Sequence, residues 1–465
     1  MRYKHIHLGL LAFALLMIIT GLVFGTPSDI LPGLYRIIIT EDTLITDYIQ
    51  IAGIGAAFVN AALVLMISVG ILVLSKDVVN GFTIAECGLM AGFALFGKNI
   101  VNIWPILLGT WLYARFRRER FSKYVGVGLL ATSLAPLVSF VALYKDNPLY
   151  IPLGFLVGVV IGFLLPSLSA YTYKIQNGMN IYNVGFACGI LALILVPLLQ
   201  SAGMEIGQVH YWATGLNLPF GIMLGVLCLA FIVLGTFLCK RRPKEAWRQY
   251  FQLLKTSGRA PSDYLRMFEK APVLINMGIN GLIATAYILL TGGDLNGPTL
   301  GGIITIISFS AYGKHAFNIV PVMAGVAIGG SLMRWELSSS AMQLAGLFCT
   351  ALAPISGHFG WPYGLLAGFL HSAVVLYAGI PASGMNLYNN GFAAGILAIV
   401  LFPTITAIAK HRKPVLQDYD YFDVFQSADP VDVRARERRL SHEPEDGAAA
   451  APAEPAEAEA LEEAP

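Results

Sequence analysis

The sequence predicts an all-α polytopic membrane protein of about 12–14 transmembrane or re-entrant helices, arranged as two inverted repeats. Three observations predict it. Of 465 residues, 56% are hydrophobic and only 12% charged, about half the charge of a soluble domain. The apolar residues come in blocks of roughly 20, the length that crosses about 30 Å of hydrocarbon at 1.5 Å per residue. Four motifs recur in the same order in both halves of the chain.

The blocks fall at about 6–25, 49–75, 81–97, 100–115, 122–144, 150–171, 183–202, 216–239, 271–292, 299–313, 316–333, 339–356, 361–380 and 386–409. The first carries Arg2 and Lys4 ahead of it and no small-x-small cleavage site, so it reads as a retained helix rather than a signal peptide. The 81–97 block and its follower are too short for two full spans, and likewise 299–313 and 316–333, which leaves re-entrant hairpins as the alternative. The segmentation is therefore 1–48, a first helix and external loop; 49–203, repeat A; 204–270, a linking helix and cytoplasmic loop; 271–409, repeat B; and 410–465, a cytoplasmic tail.

Orientation follows from Lys and Arg in the loops. Arg2 and Lys4, the Arg115–Lys123 loop, the Lys240–Lys270 loop (nine basic, three acidic residues) and Lys410–Lys413 are expected in the cytoplasm, and Asp29–Asp47 outside. Both termini are then cytoplasmic, and in the absence of another address the expected location is the cell membrane. The stretch around Trp247, Tyr250, Phe251 and Leu254 reads as an interfacial amphipathic helix. Residues 443–465, with eight acids and no bases, have almost nothing to bury and are expected to be disordered.

The repeat rests on named residues. Asn80-Gly81-x-Thr83 returns as Asn296-Gly297-x-Thr299, and Gly97-Lys98-x3-Asn102-Ile103-x-Pro105 returns as Gly313-Lys314-x3-Asn318-Ile319-x-Pro321. Ala135-Pro136 and Pro152-x-Gly154-x3-Gly158 return as Ala353-Pro354 and Pro362-x-Gly364-x3-Gly368. Fourteen of the twenty positions from Gly178 to Pro197 are identical to Gly384–Pro403. An even number of crossings per repeat with one extra span between them, 216–239, would invert the second copy.

Asn180, Tyr182 and Asn183, and their counterparts Asn386, Tyr388 and Asn389, stand immediately before Gly-rich apolar helices. Amides in hydrocarbon must be hydrogen-bonded. These tracts therefore either line a wet solute site, with Asn102 and Asn318, or act as interhelical glue beside Gly185-x3-Gly189 and Gly391-x3-Gly395. Lys98 and Lys314 either serve such a site or snorkel to an interface. Glu86 and His371 lie inside apolar blocks without a counterpart in the other half, and are candidates for a coupling proton.

Cys87, Cys188, Cys228, Cys239 and Cys349 lie in apolar stretches without CxxC spacing, and read as small core residues. Gly92-x4-Gly97-Lys98 imitates a phosphate loop, but Asn99 stands where a hydroxyl would hold magnesium. With no acid pair, Cys/His cluster, GxSxG or HExxH, the sequence gives no reason to expect an enzyme, a metal or a cofactor.

At these motifs, from about Gln50 to Ala409, the chain resembles an uncharacterised bacterial integral-membrane family, domain of unknown function 1576, whose domain occurs in tandem copies. The resemblance implies no activity. Pro362–Ile396 also looks like the half-repeats of urea-channel-type proteins, although the asparagine-proline-leucine motif of those is absent. The expectation is a permease or channel for a small polar solute, with a proton or sodium as coupling ion, the lipid bilayer and a homo-oligomer as partners, and no nucleic acid. The alternative is a membrane sensor or scaffold acting through its cytoplasmic loop and tail.

Overall fold

The computed structural model describes residues 4–42, 45–207, 209–238, 243–333 and 335–408. The expected disordered tail, Cys239 and the first basic residues of the Lys240–Lys270 loop lie outside the described residues. Helices account for nearly everything else, and the β-bridges are isolated ones, Thr46 with Tyr211 and Asp263 with Tyr312.

The first half runs through α1 (Lys4–Phe24), α2 (Pro27–Ile39), α3 (Tyr48–Ser75), α4 (Gly81–Phe93), α5 (Trp104–Phe116), α6 (Val125–Ala131), α7 (Ala135–Leu143), α8 (Ile151–Gln176) and α9 (Asn183–Ser201). The second half repeats the order: α10 (Asn217–Leu238), α11 (Pro243–Leu253), α12 (Tyr264–Met267), α13 (Lys270–Leu290), α14 (Gly297–Phe309), α15 (Ala316–Leu332), α16 (Ser340–Phe348), α17 (Ala353–Phe359), α18 (Trp361–Ala378) and α19 (Asn389–Ile408). Ten of these units are long and apolar enough to cross a membrane, five in each half, with α6–α7 and α16–α17 each counted as one broken span. The chain is thus a multi-pass α-helical membrane protein.

Local chemistry explains where the helices begin and break. Asn80 and Asn296 each close a capping box with the threonine three residues on, which starts α4 and α14 identically. In α3, Gly53 at φ 84° interrupts the helix after one turn, a conformation that favours glycine. In the second half the same break is complete, and the first turn survives as α12. Pro136 and Pro354 sit in the first turns of α7 and α17, each after a short 3-10 stretch. At 13 residues, α4 and α14 are about 20 Å long, so each enters the protein without crossing it.

Packing corrects the segmentation in one respect. The 216–239 block is not a spare span between repeats: α10 is the counterpart of α1. Gly21 of α1 lies against Gly55 of α3, and Gly235 of α10 against Ala271 of α13, 216 positions further on. The amphipathic helix expected in the cytoplasmic loop is α11, which buries Ala246, Tyr250 and Leu253 and packs against Ala271 and Ile275. Its place in the order matches that of α2.

The halves meet through equivalent helices. Helices α4 and α14 pack antiparallel: Gly92 lies against Gly301, Gly88 against Ser308, Gly81 against the carbonyl of Ala311, and Gly297 reciprocally against the carbonyl of Leu95. A two-fold operation perpendicular to both helices exchanges these pairs. Helices α9 and α19 cross where Gly185 and Gly189 receive Tyr388 and Phe392, while Gly391 and Gly395 receive Tyr182 and Phe186. At Gly185, Gly189 and Gly395 a Cβ would strike the partner ring, and at Gly391 it would crowd the Cβ and carbonyl of Tyr182.

Candidate functional site

The tracts that start α9 and α19 meet at this crossing. Before each helix a turn in left-handed conformation, Asn177-Gly178 and Ser383-Gly384, breaks the chain away from α8 and α18. Asn180 then uses its Oδ1 to accept from its own Tyr182 N–H (2.9 Å) and its Nδ2 to donate to the Gly391 carbonyl across the interface (3.1 Å). Asn386 mirrors it, accepting from Tyr388 N–H (3.0 Å) and donating to the Gly185 carbonyl (3.5 Å). The amides of this pair clamp the two helices. Asn183 and Asn389 donate back to the Ser169 and Val375 carbonyls, and their Oδ1 atoms have no protein partner. A cavity of about 270 Å³ opens beside the second tract, lined by Asn386, Asn389 and Asn390 together with Ser383, His210 and Ile45.

Lys98 and Lys314 do not snorkel. Both are fully buried, because Gly97 (φ 102°) and Gly313 (φ 85°) turn the chain inward after α4 and α14. Asn60 and Asn276 fix those turns alike, donating to the carbonyls of Ala94 and Lys98, and of Ser310 and Lys314. Lys314 Nζ donates to Tyr182 OH and to Thr350 Oγ1 (2.8 Å), and lies 5.2 Å from the Phe309 ring centroid. The positions equivalent to Thr350, Phe309 and Tyr182 are Thr132, Phe93 and Tyr388, yet Lys98 Nζ reaches Met90 Sδ (3.4 Å) and the Phe93 face (5.1 Å) instead. Each cluster combines one half's lysine, threonine and phenylalanine with the other half's tyrosine. Tyr182 and Tyr388 join the clusters, their ring centroids 4.8 Å apart. Among the described residues neither ammonium has a carboxylate within 4 Å.

The remaining candidates lie apart from these clusters. Glu86 is buried on α4 with both carboxylate oxygens unbonded, facing Gly126. His371 is buried on α18, its Nε2 within 3.1 Å of Asn390 Oδ1 and its Nδ1 unpartnered. Asn102 and Asn318 close the turns after α4 and α14 by donating to the Gly97 and Gly313 carbonyls; Asn102 also donates to Asp42 Oδ2 (3.1 Å) and Ser139 Oγ (3.0 Å).

Two acids that the motif reading passed over hold the halves together. Asp47 accepts from Gly297 N–H (3.2 Å) at the start of α14 and from Ala213 N–H (2.9 Å). Asp263, 216 positions later, accepts from Gly81 N–H (3.0 Å) at the start of α4. Each half thus caps the other half's short helix, where a carboxylate meets unpaired N–H groups and the positive end of the helix dipole. Burial lifts Asp47 to about 6 despite these hydrogen bonds, and lifts Asp42 to about 7 against those from Tyr48, Ser139 and Asn102. The signal was present in the sequence: Asp47-Tyr48 and Asp263-Tyr264 keep the spacing of Asn80 and Asn296.

A family model described as protein of unknown function (DUF1576) matches the chain twice, over residues 26–201 and 242–407. Each match begins just before, or with, the amphipathic helix, α2 or α11, and ends at α9 or α19. No curated protein and no solved structure matches the chain.

Proposed function

The chain belongs to the DUF1576 family, in two tandem copies, and from its architecture we propose that it is a permease or channel for a small polar solute, built from two inverted repeats. The observation that carries the reading is the meeting of two equivalent helix breaks, before α9 and α19, at the interface between the halves, with the unbonded amide oxygen of Asn389 beside a cavity. Five crossings per half is an odd number, so the second half enters from the opposite side. The antiparallel pairing of α4 with α14 supports the same inversion. Broken helices at a repeat interface supply freed backbone groups and side-chain amides, which replace the water shell of a polar solute.

The cavity side chain least committed to the fold is Asn389: its one amide bond is long (3.4 Å) and its Oδ1 is unbonded. Purified protein in sealed vesicles is expected to pass small polar solutes such as urea or glycerol faster than empty vesicles, and Asn389→Ala to slow that flux about tenfold, the worth of one buried hydrogen bond. Flux equal to that of empty vesicles for every solute tried would refute the reading. A slowed Asn389→Ala whose unfolding temperature also collapses would make the tract glue.

A further inference from the structure

We propose that Lys98, Thr132 and Tyr388 form a binding site for a small monovalent anion, in which the Met90 thioether now stands between the lysine and the threonine. The second half shows what such a cluster does when it is closed on itself: Lys314 Nζ bonds Tyr182 OH and Thr350 Oγ1 directly. In the first half the equivalent positions carry the same residue types, Lys98, Thr132 and Tyr388, but Lys98 forms neither of these bonds. Met90, at the position of Ile306, receives Lys98 Nζ at 3.4 Å and Thr132 Oγ1 at 3.3 Å. Tyr388 OH is fully buried and has no partner, while its ring lies 5.1 Å from Phe93, the ring on which Lys98 also rests. A cation and a hydroxyl therefore meet at a flexible, weakly accepting sulfur, and the tyrosine with the unpartnered hydroxyl packs on the same phenylalanine ring as the cation.

The chemistry of this set selects the ligand. An ammonium and an unpartnered phenol, beside a Thr132 hydroxyl shared between Met90 Sδ (3.3 Å) and the Leu129 carbonyl (2.6 Å) and with no carboxylate within 4 Å of the lysine among the described residues, offer donors and positive charge and no anionic partner for a cation. One lysine balances one negative charge, so a divalent anion would bring an unbalanced charge into the interior. The ligand would take the place of the Met90 thioether, which limits it to an anion of a few heavy atoms, such as chloride, nitrate or formate. Because the cluster takes its lysine from one half and its tyrosine from the other, occupancy would stiffen the interface across which the halves must move. The proposal deepens the permease reading, on which it rests for the fate of the bound anion but not for binding.

The test uses the purified full chain at constant ionic strength, with sodium gluconate exchanged for chloride, nitrate or formate, and sulfate as the divalent comparison. At least one of the three small anions should raise the unfolding temperature saturably, and sulfate should not. Lys98→Met should abolish the rise. Tyr388→Phe should raise the half-saturating concentration about tenfold, the effect of one lost hydrogen bond, without lowering stability in gluconate, since its hydroxyl has no bond to lose. If Lys98→Met does not fold, Tyr388→Phe alone decides the matter. No saturable shift in the parent protein, or one unchanged in Tyr388→Phe, would overturn the site. Vesicle flux separates this result from the permease reading: anion binding without flux of any solute leaves the site standing and removes the permease, whereas urea flux without an anion-dependent shift does the reverse.

Discussion

Replacing Asp47 should weaken the union of the two halves, and the geometry sets the size of the effect. Its carboxylate accepts from Gly297 N–H, Ala213 N–H and Ile49 N–H, at 3.2, 2.9 and 2.9 Å. Gly297 and Ala213 are buried, and depriving a buried donor of its partner costs about 1–3 kcal/mol. Asp47→Ala should therefore cost about 3 kcal/mol or more. Asp47→Asn keeps the oxygen that serves Gly297 and Ile49 while losing the one on Ala213, so about 1–2 kcal/mol is expected. The two variants also differ from the parent in their response to pH. Burial raises Asp47 from 3.8 to about 6, so the folded protein holds a proton that the unfolded chain releases. Stability from this group is present below about pH 4 and is lost as pH rises through about 6, a change of up to about 3 kcal/mol. Asp42, raised to about 7, contributes a slope of the same sign, and only the difference between parent and Asp47→Asn isolates Asp47. Intrinsic-fluorescence melts of detergent-purified protein between pH 4.5 and 8 measure both quantities. An Asp47→Ala protein that melts with the parent, or an Asp47→Asn protein that keeps the full pH slope, would refute the assignment.

Two further outcomes test other parts of the structure. Gly189→Leu and Gly395→Leu place side chains within the rings of Phe392 and Phe186, and each should lower stability by about 1–3 kcal/mol in the same melts; Gly225→Ala on α10, where nothing lies within 4 Å, should be neutral or slightly stabilising. Glu86→Gln keeps the shape of a carboxyl whose oxygens bond nothing, so folding should be unaffected, while flux driven by a pH gradient should lose its dependence on that gradient; an unchanged gradient dependence would remove Glu86 from coupling.

What the sequence made legible was whatever the duplication wrote twice in the same letters. Asn80 and Asn296 cap their helices with the same bonds, and the repeated glycines of α9 and α19 sit where tyrosine and phenylalanine residues of the opposite tract pack. The membrane spans follow from hydropathy alone, because lipid leaves a helix little alternative to satisfying its own backbone. Helix α10 was misplaced for the opposite reason. What it shares with α1 at the 216-position offset is mostly generic apolar residues, such as Ile6 with Ile222, Leu8 with Leu224, Leu11 with Leu227 and Ala14 with Ala230, which apolarity alone would place in any lipid-facing span.

The buried lysines show where legibility ends. From sequence, an apolar run ending in Gly-Lys fits either a snorkelling side chain or a buried one, since both need only a long stem and a nearby turn. The choice was made by residues far along the chain: Asn60 and Asn276, which turn the Lys98 and Lys314 backbones inward, and Tyr182 and Tyr388, each supplied by the opposite half. A motif scan within one repeat does not find a cluster whose members are divided between two. The same division explains why Asp47 and Asp263 went unread, for Asp47 serves a helix start 250 positions on and Asp263 one 182 positions back. In a duplicated membrane protein the interface is assembled by exchange, lysine of one copy with tyrosine of the other and acid of one with helix start of the other. The equivalent positions to inspect are therefore those that repeat at constant spacing but find no polar partner within their own copy. By that rule the unbonded hydroxyl of Tyr388, whose ring packs on the same Phe93 as a lysine that bonds only sulfur, marks a place where the two copies depart from symmetry and where a ligand would find unmet hydrogen bonding.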